Sequence, residues 1–288
     1  MHMKFFDSHC HPQLSAFDAD REAVLARMQG NEVGGVVVGV DFETSKKAVE
    51  LAHIHNFLWA SVGLHPNGSL DEEFNIPESL ELPRDENENL NEKFNARSFS
   101  ELAHDTKVVA IGECGLDFFR LPADAGEQGR HMQKERFQKH IELALKTRKP
   151  LIIHCRSSAG GNDAHEAMLV ILGSHARELE KGELKAVMHF FTSTAGIAKQ
   201  YLSLGCFISF PCVITFTDMY DEAVRAIPLE RILSETDSPF ASPARFRGKR
   251  NEPIYVEEAV KRIAELKGLP FSETAEQIVR NSKSFFNI

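Results

Sequence analysis

The chain reads as a single-domain α/β protein folded as a TIM-type (β/α)8 barrel. Three observations predict this. Short runs rich in Val, Ile and Phe recur along the 288 residues. Each is followed by a longer segment with apolar residues at helical spacing. The runs are continuous rather than alternating, as expected of parallel strands covered on both faces. Eight are present: Lys4–Phe6, Gly35–Val40, Leu58–Val62, Val108–Gly112, Leu151–His154, Ala186–His189, Cys206–Phe210 and Ile232–Glu235. The length suits one closed barrel.

The segments between them carry helix signals in order. Asp18–Gln29 places Ala23, Val24, Leu25 and Met28 on one face, and Gln133–Thr147 does the same with Phe137, Ile141, Leu143 and Leu145. Asp41-Phe-Glu-Thr-Ser supplies capping groups for the second helix, as Ser193 or Thr194 does for the sixth. Val256–Lys267 and Ser272–Phe285 complete the outer ring. One stretch breaks the rhythm: residues Asn67 to Arg97 contain Pro77, Pro83 and many acids. It reads either as a solvated insertion or as a lid, since loops that follow barrel strands lie on the catalytic face.

Composition narrows the classes. A formal charge of −9 excludes a broad basic surface that grips long duplex DNA, so any nucleic-acid role depends on a local site. Five cysteines, an odd number without a CxxC pair, read as reduced core residues. The N-terminus lacks a leader pattern and no long apolar run occurs, so the expected location is the cytoplasm, with no membrane contact and no obligatory protein partner.

The chemistry sits where the apolar runs stop. The first strand ends in Asp7-Ser-His9-Cys-His11, and residues two apart on a strand share a side, so His9 and His11 point together into the barrel mouth. Glu113 follows Val108-Val-Ala-Ile between glycines, a place where a carboxylate is costly unless paired or ligated. His154 ends the fifth run and His189 the sixth. The eighth ends in Glu235-Thr-Asp237, with Asp237 at the level of the metals and Glu235 one layer deeper. The third adds His65 at the rim. Carboxylates and imidazoles without a required thiolate suit Zn²⁺, Mn²⁺ or Mg²⁺.

Taken in order, DSHCH, GLHP, GECGLD, HCR, the histidine of MHFF, ETDSP and RNEP resemble the TatD family of metal-dependent deoxyribonucleases, among the amidohydrolase-like barrel enzymes. The resemblance runs from Lys4 to the C-terminus. It implies two divalent ions held by His9, His11, Glu113, His154, His189 and Asp237, with Glu113 bridging them and Glu235 as a further acidic member. The family's HCF[ST]G motif is altered here to His189-Phe190-Phe191-Thr192-Ser193, which keeps the histidine and changes the loop. The stretch Ala159-Gly-Gly-Asn162 is longer than the family pattern.

The expected reaction is hydrolysis of a phosphodiester by metal-activated water, on DNA ends or single strands. Asp237, Glu113, His65, Arg156 and Glu235 form the candidate catalytic set. Asp237 orients or deprotonates the water. Arg156 holds a phosphate oxygen through its guanidinium. The basic run with Arg247, Lys249 and Arg250, followed by Asn251, is the candidate track for backbone phosphates. Phe118 and Phe119 read either as stacking partners of a terminal base or as rim packing. The alternative is an amidohydrolase acting on a small cyclic amide or ester. Glu113 disfavours it, because many such sites carry a modified lysine on the fourth strand.

Overall fold

The computed structural model describes residues 2–68, 94–121 and 125–288. Its eight strands follow the chain in order: β1 (Phe5–Cys10), β2 (Val33–Val38), β3 (Leu58–Val62), β4 (Val108–Asp117), β5 (Leu151–Arg156), β6 (Ala186–Met188), β7 (Phe207–Phe210) and β8 (Ile232–Ser234). Each pairs in parallel with the next. The seam between β8 and β1 closes through one isolated parallel bridge, Cys10 to Ser238. Asp237 N donates to His9 O at 2.9 Å, and His11 N donates to Ser238 O at 2.8 Å. The arrangement is a (β/α)8 barrel, as the continuous apolar runs predict.

The described helices are α1 (Arg21–Gly30), α2 (Phe42–Ile54), α3 (Ala96–Ala103), α4 (Gly126–Thr147), α5 (Asp163–Ser174), α6 (Ala176–Glu180), α7 (Ala195–Ser203), α8 (Asp221–Ala226), α9 (Val256–Lys267) and α10 (Phe271–Phe286). Asp41 caps α2 in a reciprocal box with Thr44, and Thr194 caps α7, as expected; each cap contributes about 1 kcal/mol. Helix α4 begins earlier than its apolar periodicity indicates. The end of the acidic stretch is not loop: Ala96 and Arg97 open α3, because Asn95 Oδ1 accepts from Arg97 N and Ser98 N. Residues 69–93, which hold most of that stretch, lie outside the described residues.

Two apolar layers enclose the strands. One lies between strands and helices; the other fills the barrel with Phe6, Val36, Ala110, Ile152, Val187 and Leu233. At the strand starts, Phe286 of α10 packs on Phe6 and Phe285 on Phe207, with ring centroids 6.0 and 5.1 Å apart. Alternation then sets what comes above. Two residues beyond Ile152, Val187 and Leu233 stand His154, His189 and Glu235, so the strands that build the core also build the site. All five cysteines are free and buried. No helix among the described residues is long and apolar enough to cross a membrane.

Candidate metal centre

Two irregularities aim residues that simple alternation would misplace. Between Asp7 and Cys10, β1 advances three residues while β2 advances two, from Gly35 to Val37. Between Ile111 and Cys114, β4 does the same against β5. Such bulges turn a side chain out of its regular direction and are common beside active sites. The first bulge brings His9 to the mouth although Ser8 also faces inward, bonding Ser209 Oγ at 2.9 Å. The second brings in Glu113, whose N–H donates to Gly39 O at 2.9 Å. Gly112 permits this turn: its φ is +146°, and a Cβ there would lie 2.5 Å from Ile152 O.

Glu113 stands between two groups of donors. Its Oε2 lies 3.2 Å from His9 Nε2. Its Oε1 lies 2.8 Å from His154 Nδ1, 3.1 Å from His189 Nε2 and 3.6 Å from His65 Nε2. On the Oε2 side, His9 Nε2 and His11 Nε2 are 3.1 Å apart, and Asp237 Oδ1 is 3.2 Å from His11 Nε2 and 3.6 Å from His9 Nε2. His9, His11 and Asp237 thus form one possible ligand group, and Glu113, His154 and His189 another. Overlapping groups join His9, His189 and Glu235, and His65, Asp117 and His154.

The chemistry of these donors fits divalent ions. His11 Nδ1 lies 2.8 Å from Val38 O, so it carries the proton and leaves the Nε2 lone pair of the neutral ring facing Asp237 Oδ1. His189 Nδ1 is held by Glu235 Oε1 at 3.1 Å, which leaves its Nε2 lone pair facing Glu113. Lone pairs directed at carboxylates call for a cation between them. Ligands about 2.0–2.2 Å from a tetrahedral ion lie roughly 3.3–3.6 Å from one another, close to the separations around His9, His11 and Asp237. Among the described residues, His9 Nδ1 and Glu235 Oε2 are buried with no hydrogen-bond partner.

Electrostatics agrees. Burial pushes the Glu113 carboxyl up, but His189, His65, His9 and the His154 hydrogen bond together hold it well below the usual range. Burial lowers His189, and the carboxylates of Glu235 and Glu113 more than reverse that, lifting it well above an ordinary imidazole. His154 is raised in the same way by Asp117 and Glu113 against the cost of burial. His9 is lowered by burial and by the neighbouring His189, and His65 is lowered well below the ordinary range, chiefly by burial. The field around Glu113 therefore attracts positive charge in its second donor group, the role a metal would take over from protons.

His65 differs from the other imidazoles. Asn67 N donates to its Nδ1 at 3.2 Å, so the neutral ring presents an Nε2–H toward Glu113 Oε1. His154 and Asp237 mark the open side, with side chains 17% and 15% exposed against 4% or less for His9, His11, Glu113 and His189. Asp237 adopts a left-handed backbone, φ +55°, a conformation costly for a residue other than glycine and frequent at active sites. The fully buried Asp7 anchors that turn: its carboxylate accepts from Thr236 N at 2.9 Å and Thr236 Oγ1 at 2.5 Å.

Other expected residues fall farther out. Glu235 lies behind His189, accepting from Phe190 N at 2.6 Å as well, and does not reach the mouth. Arg156 stacks its guanidinium over Phe119 at 4.0 Å and makes no ion pair among the described residues. Arg247 is exposed and stacks over Phe216 at 4.1 Å, and Lys249 is exposed nearby in sequence. Arg250 and Asn251, expected to contact phosphate, have protein partners. Arg250 pairs with Asp20 at 2.8 Å and donates to Ala16 O, while buried Asn251 donates to Thr236 O and Phe240 O. Among residues without an assigned role in the sequence, Asp117 stands out, its Oδ2 lying 3.0 Å from His154 Nε2. Its only signal was a carboxylate near the end of a buried strand.

Comparison with known proteins agrees with this centre. The family described as TatD related DNase matches residues 6–287. The uncharacterized metal-dependent hydrolase YabD of Bacillus subtilis is 36% identical, covering 98% of this chain and 99% of that protein. The 3'-5' ssDNA/RNA exonuclease TatD of Erwinia tasmaniensis is 30% identical, covering 98% and 100%. The crystal structure of YJJV, a TatD homolog from Escherichia coli K12, gives a TM-score of 0.80 at 25% identity, covering 100% of both chains. With its buried His/Asp/Glu centre on an eight-stranded barrel, the chain belongs to the TatD-related DNase family of metal-dependent hydrolases.

Proposed function

We propose that this chain is a two-metal phosphodiesterase acting on the ends or single strands of DNA. The observation that carries the reading is Glu113, whose two oxygens face separate donor groups. His9, His11 and Asp237 would hold one ion and His154 and His189 the other, with Glu113 placed between the two groups. When bound, the two ions supply Lewis acidity toward phosphoryl oxygens and a more acidic water. The partly exposed Asp237 would orient the attacking water and take up its proton. His65 directs its Nε2–H into the same space and contributes a hydrogen-bond donor for developing negative charge.

Substrate contacts follow from charge and exposure. Arg156, its guanidinium carbon 4.0 Å from the Phe119 ring centre, offers donors to a non-bridging oxygen at the open side. Arg247 and Lys249 extend positive charge outward for one or two further phosphates. Arg250 and Asn251 hold the loop that carries them. Few such contacts favour a strand end or a flexible single strand over long duplex. The Erwinia relative's description as a 3'-5' ssDNA/RNA exonuclease supports the same class of substrate.

The deciding experiment follows turnover of a 3'- or 5'-labelled single-stranded oligonucleotide and of bis-p-nitrophenyl phosphate with Mg²⁺, Mn²⁺ or Zn²⁺, beside dihydroorotate and lactones. Metal-dependent shortening of the oligonucleotide is expected. Turnover of the cyclic amide or lactone with inert phosphodiesters would replace this reading with the amidohydrolase one.

A further inference from the structure

His154, like His189, has a carboxylate at each nitrogen, and both of its partners come from one strand, β4. Glu113 Oε1 lies 2.8 Å from Nδ1 and Asp117 Oδ2 lies 3.0 Å from Nε2. If Nδ1 serves the metals, Nε2–H must be held elsewhere, and Asp117 is placed to hold it. Asp117 is itself fixed at every polar atom. Its Oδ1 accepts from Phe119 N at 3.1 Å and Arg120 N at 3.0 Å. Its backbone N–H donates to Gln133 Oε1 at 2.8 Å, and its carbonyl accepts from Gln133 Nε2 at 3.1 Å.

The reason for that last pair lies in the sheet. Strand β3 ends at Val62, paired with Ile111, whereas β4 continues to Asp117. Beyond Ile111 the edge of β4 that faced β3 has lost its ladder, and a buried unpaired N–H or C=O costs about 1–3 kcal/mol. The side-chain amide of Gln133 takes the place of the missing strand. The same Nε2 lies 3.1 Å from Asn67 Oδ1, tying in the loop that carries His65.

Gln133 does not act alone. Arg136 Nη1 donates to Pro66 O at 3.1 Å, and His140 Nε2 accepts from Leu64 N at 3.0 Å while its Nδ1 is held by Arg136 O at 2.8 Å. Positions 133, 136 and 140 share one helix face. His140, pushed down to about 3 by burial, keeps the neutral form this bond requires.

We propose that this face of α4 positions the His65 and His154 side of the metal centre, with Gln133 holding Asp117 and Asp117 fixing the tautomer and orientation of His154. These are positioning residues. The inference rests on His154 being a metal ligand.

Asp117→Asn and Gln133→Leu test it in the full-length protein, read by Mn²⁺ and Zn²⁺ affinity, by ¹⁵N imidazole shifts of His154 and by thermal unfolding after chelation. In Asp117→Asn, the amide NH₂ set against Nε2 should move the His154 proton to Nδ1, reverse its shifts and lower metal affinity about 10–100-fold. Gln133→Leu should lower affinity in the same direction and by less, beyond any change in the unfolding temperature of the chelated protein. Wild-type affinity and unchanged His154 shifts in both variants would overturn the proposal. If Gln133→Leu fails to fold, Asp117→Asn decides alone, because it keeps volume and the Oδ1 contacts. Failure of the wild-type protein to bind either metal would instead remove the two-metal reading.

Discussion

The two donor groups of the candidate centre are built from similar residues and held by different means. In the His9, His11 and Asp237 half, His11 is oriented by a main-chain carbonyl, Val38 O, and Asp237 by the turn that closes the barrel seam. In the half with His154 and His189, each ring leans on a buried carboxylate, Asp117 or Glu235. A neutral carbonyl fixes a tautomer, whereas a carboxylate also raises ring basicity. The first half is therefore set by geometry and opens to solvent at Asp237. The second is set by charge: its carboxylates raise the basicity of His154 and His189.

Removing the group both halves share should have the largest effect. Glu113→Ala is expected to lower activity by about 10³-fold or more and to reduce metal content in both halves, measured by elemental analysis beside phosphodiester turnover. Full activity in that variant would break the assignment of the whole site. Asp237→Asn strikes the first half alone: about 10²–10⁴-fold loss in kcat is expected while metal remains in the second half. Glu235→Gln strikes only the support of the second. His189 loses its charged partner, and metal affinity should drop about 10–100-fold, with kcat recovering at saturating metal.

The smallest effect is on stability against pH, and its sign separates the halves. The folded-state values of His154 and His189 are raised, so in chelated protein their contribution is full below the ordinary imidazole value near 6.5 and is lost as pH rises through the raised values. His9 is lowered, so its contribution is present above about 6.5 and is lost as pH falls. Thermal unfolding of chelated protein should show an alkaline decline that Glu235→Gln reduces and that added metal removes. An alkaline decline of equal size in Glu235→Gln would mean that the carboxylate partners do not set the second half.

Much of this was legible in the chain. The eight runs map onto the eight strands, and α9 spans Val256–Lys267 as its periodicity indicates. The ligand candidates converge because alternation from a core residue to a polar one two positions on is a local property, written into Ile152 and His154 or Val187 and His189. Local reading does not show contacts made by residues distant in sequence. Arg250 looks like a free cation in a basic run until Asp20, far away in sequence, is folded against it. Asn251 sits in a polar loop sequence and is buried because three carbonyls, of Thr236, Phe240 and Ala241, converge on its amide. Gln133 has no signal at all in its helix, since the need for it arises where β3 stops short of β4.

By itself, then, the sequence determined the barrel, the strand ends that carry the candidate ligands and the kind of metal they suit, because apolar periodicity and residue chemistry are properties of short segments. Only the tertiary structure decided which nitrogen of each imidazole faces the centre. For His11, His154 and His189 that choice depends on the acceptors Val38 O, Asp117 and Glu235, which barrel closure brings to them from other strands.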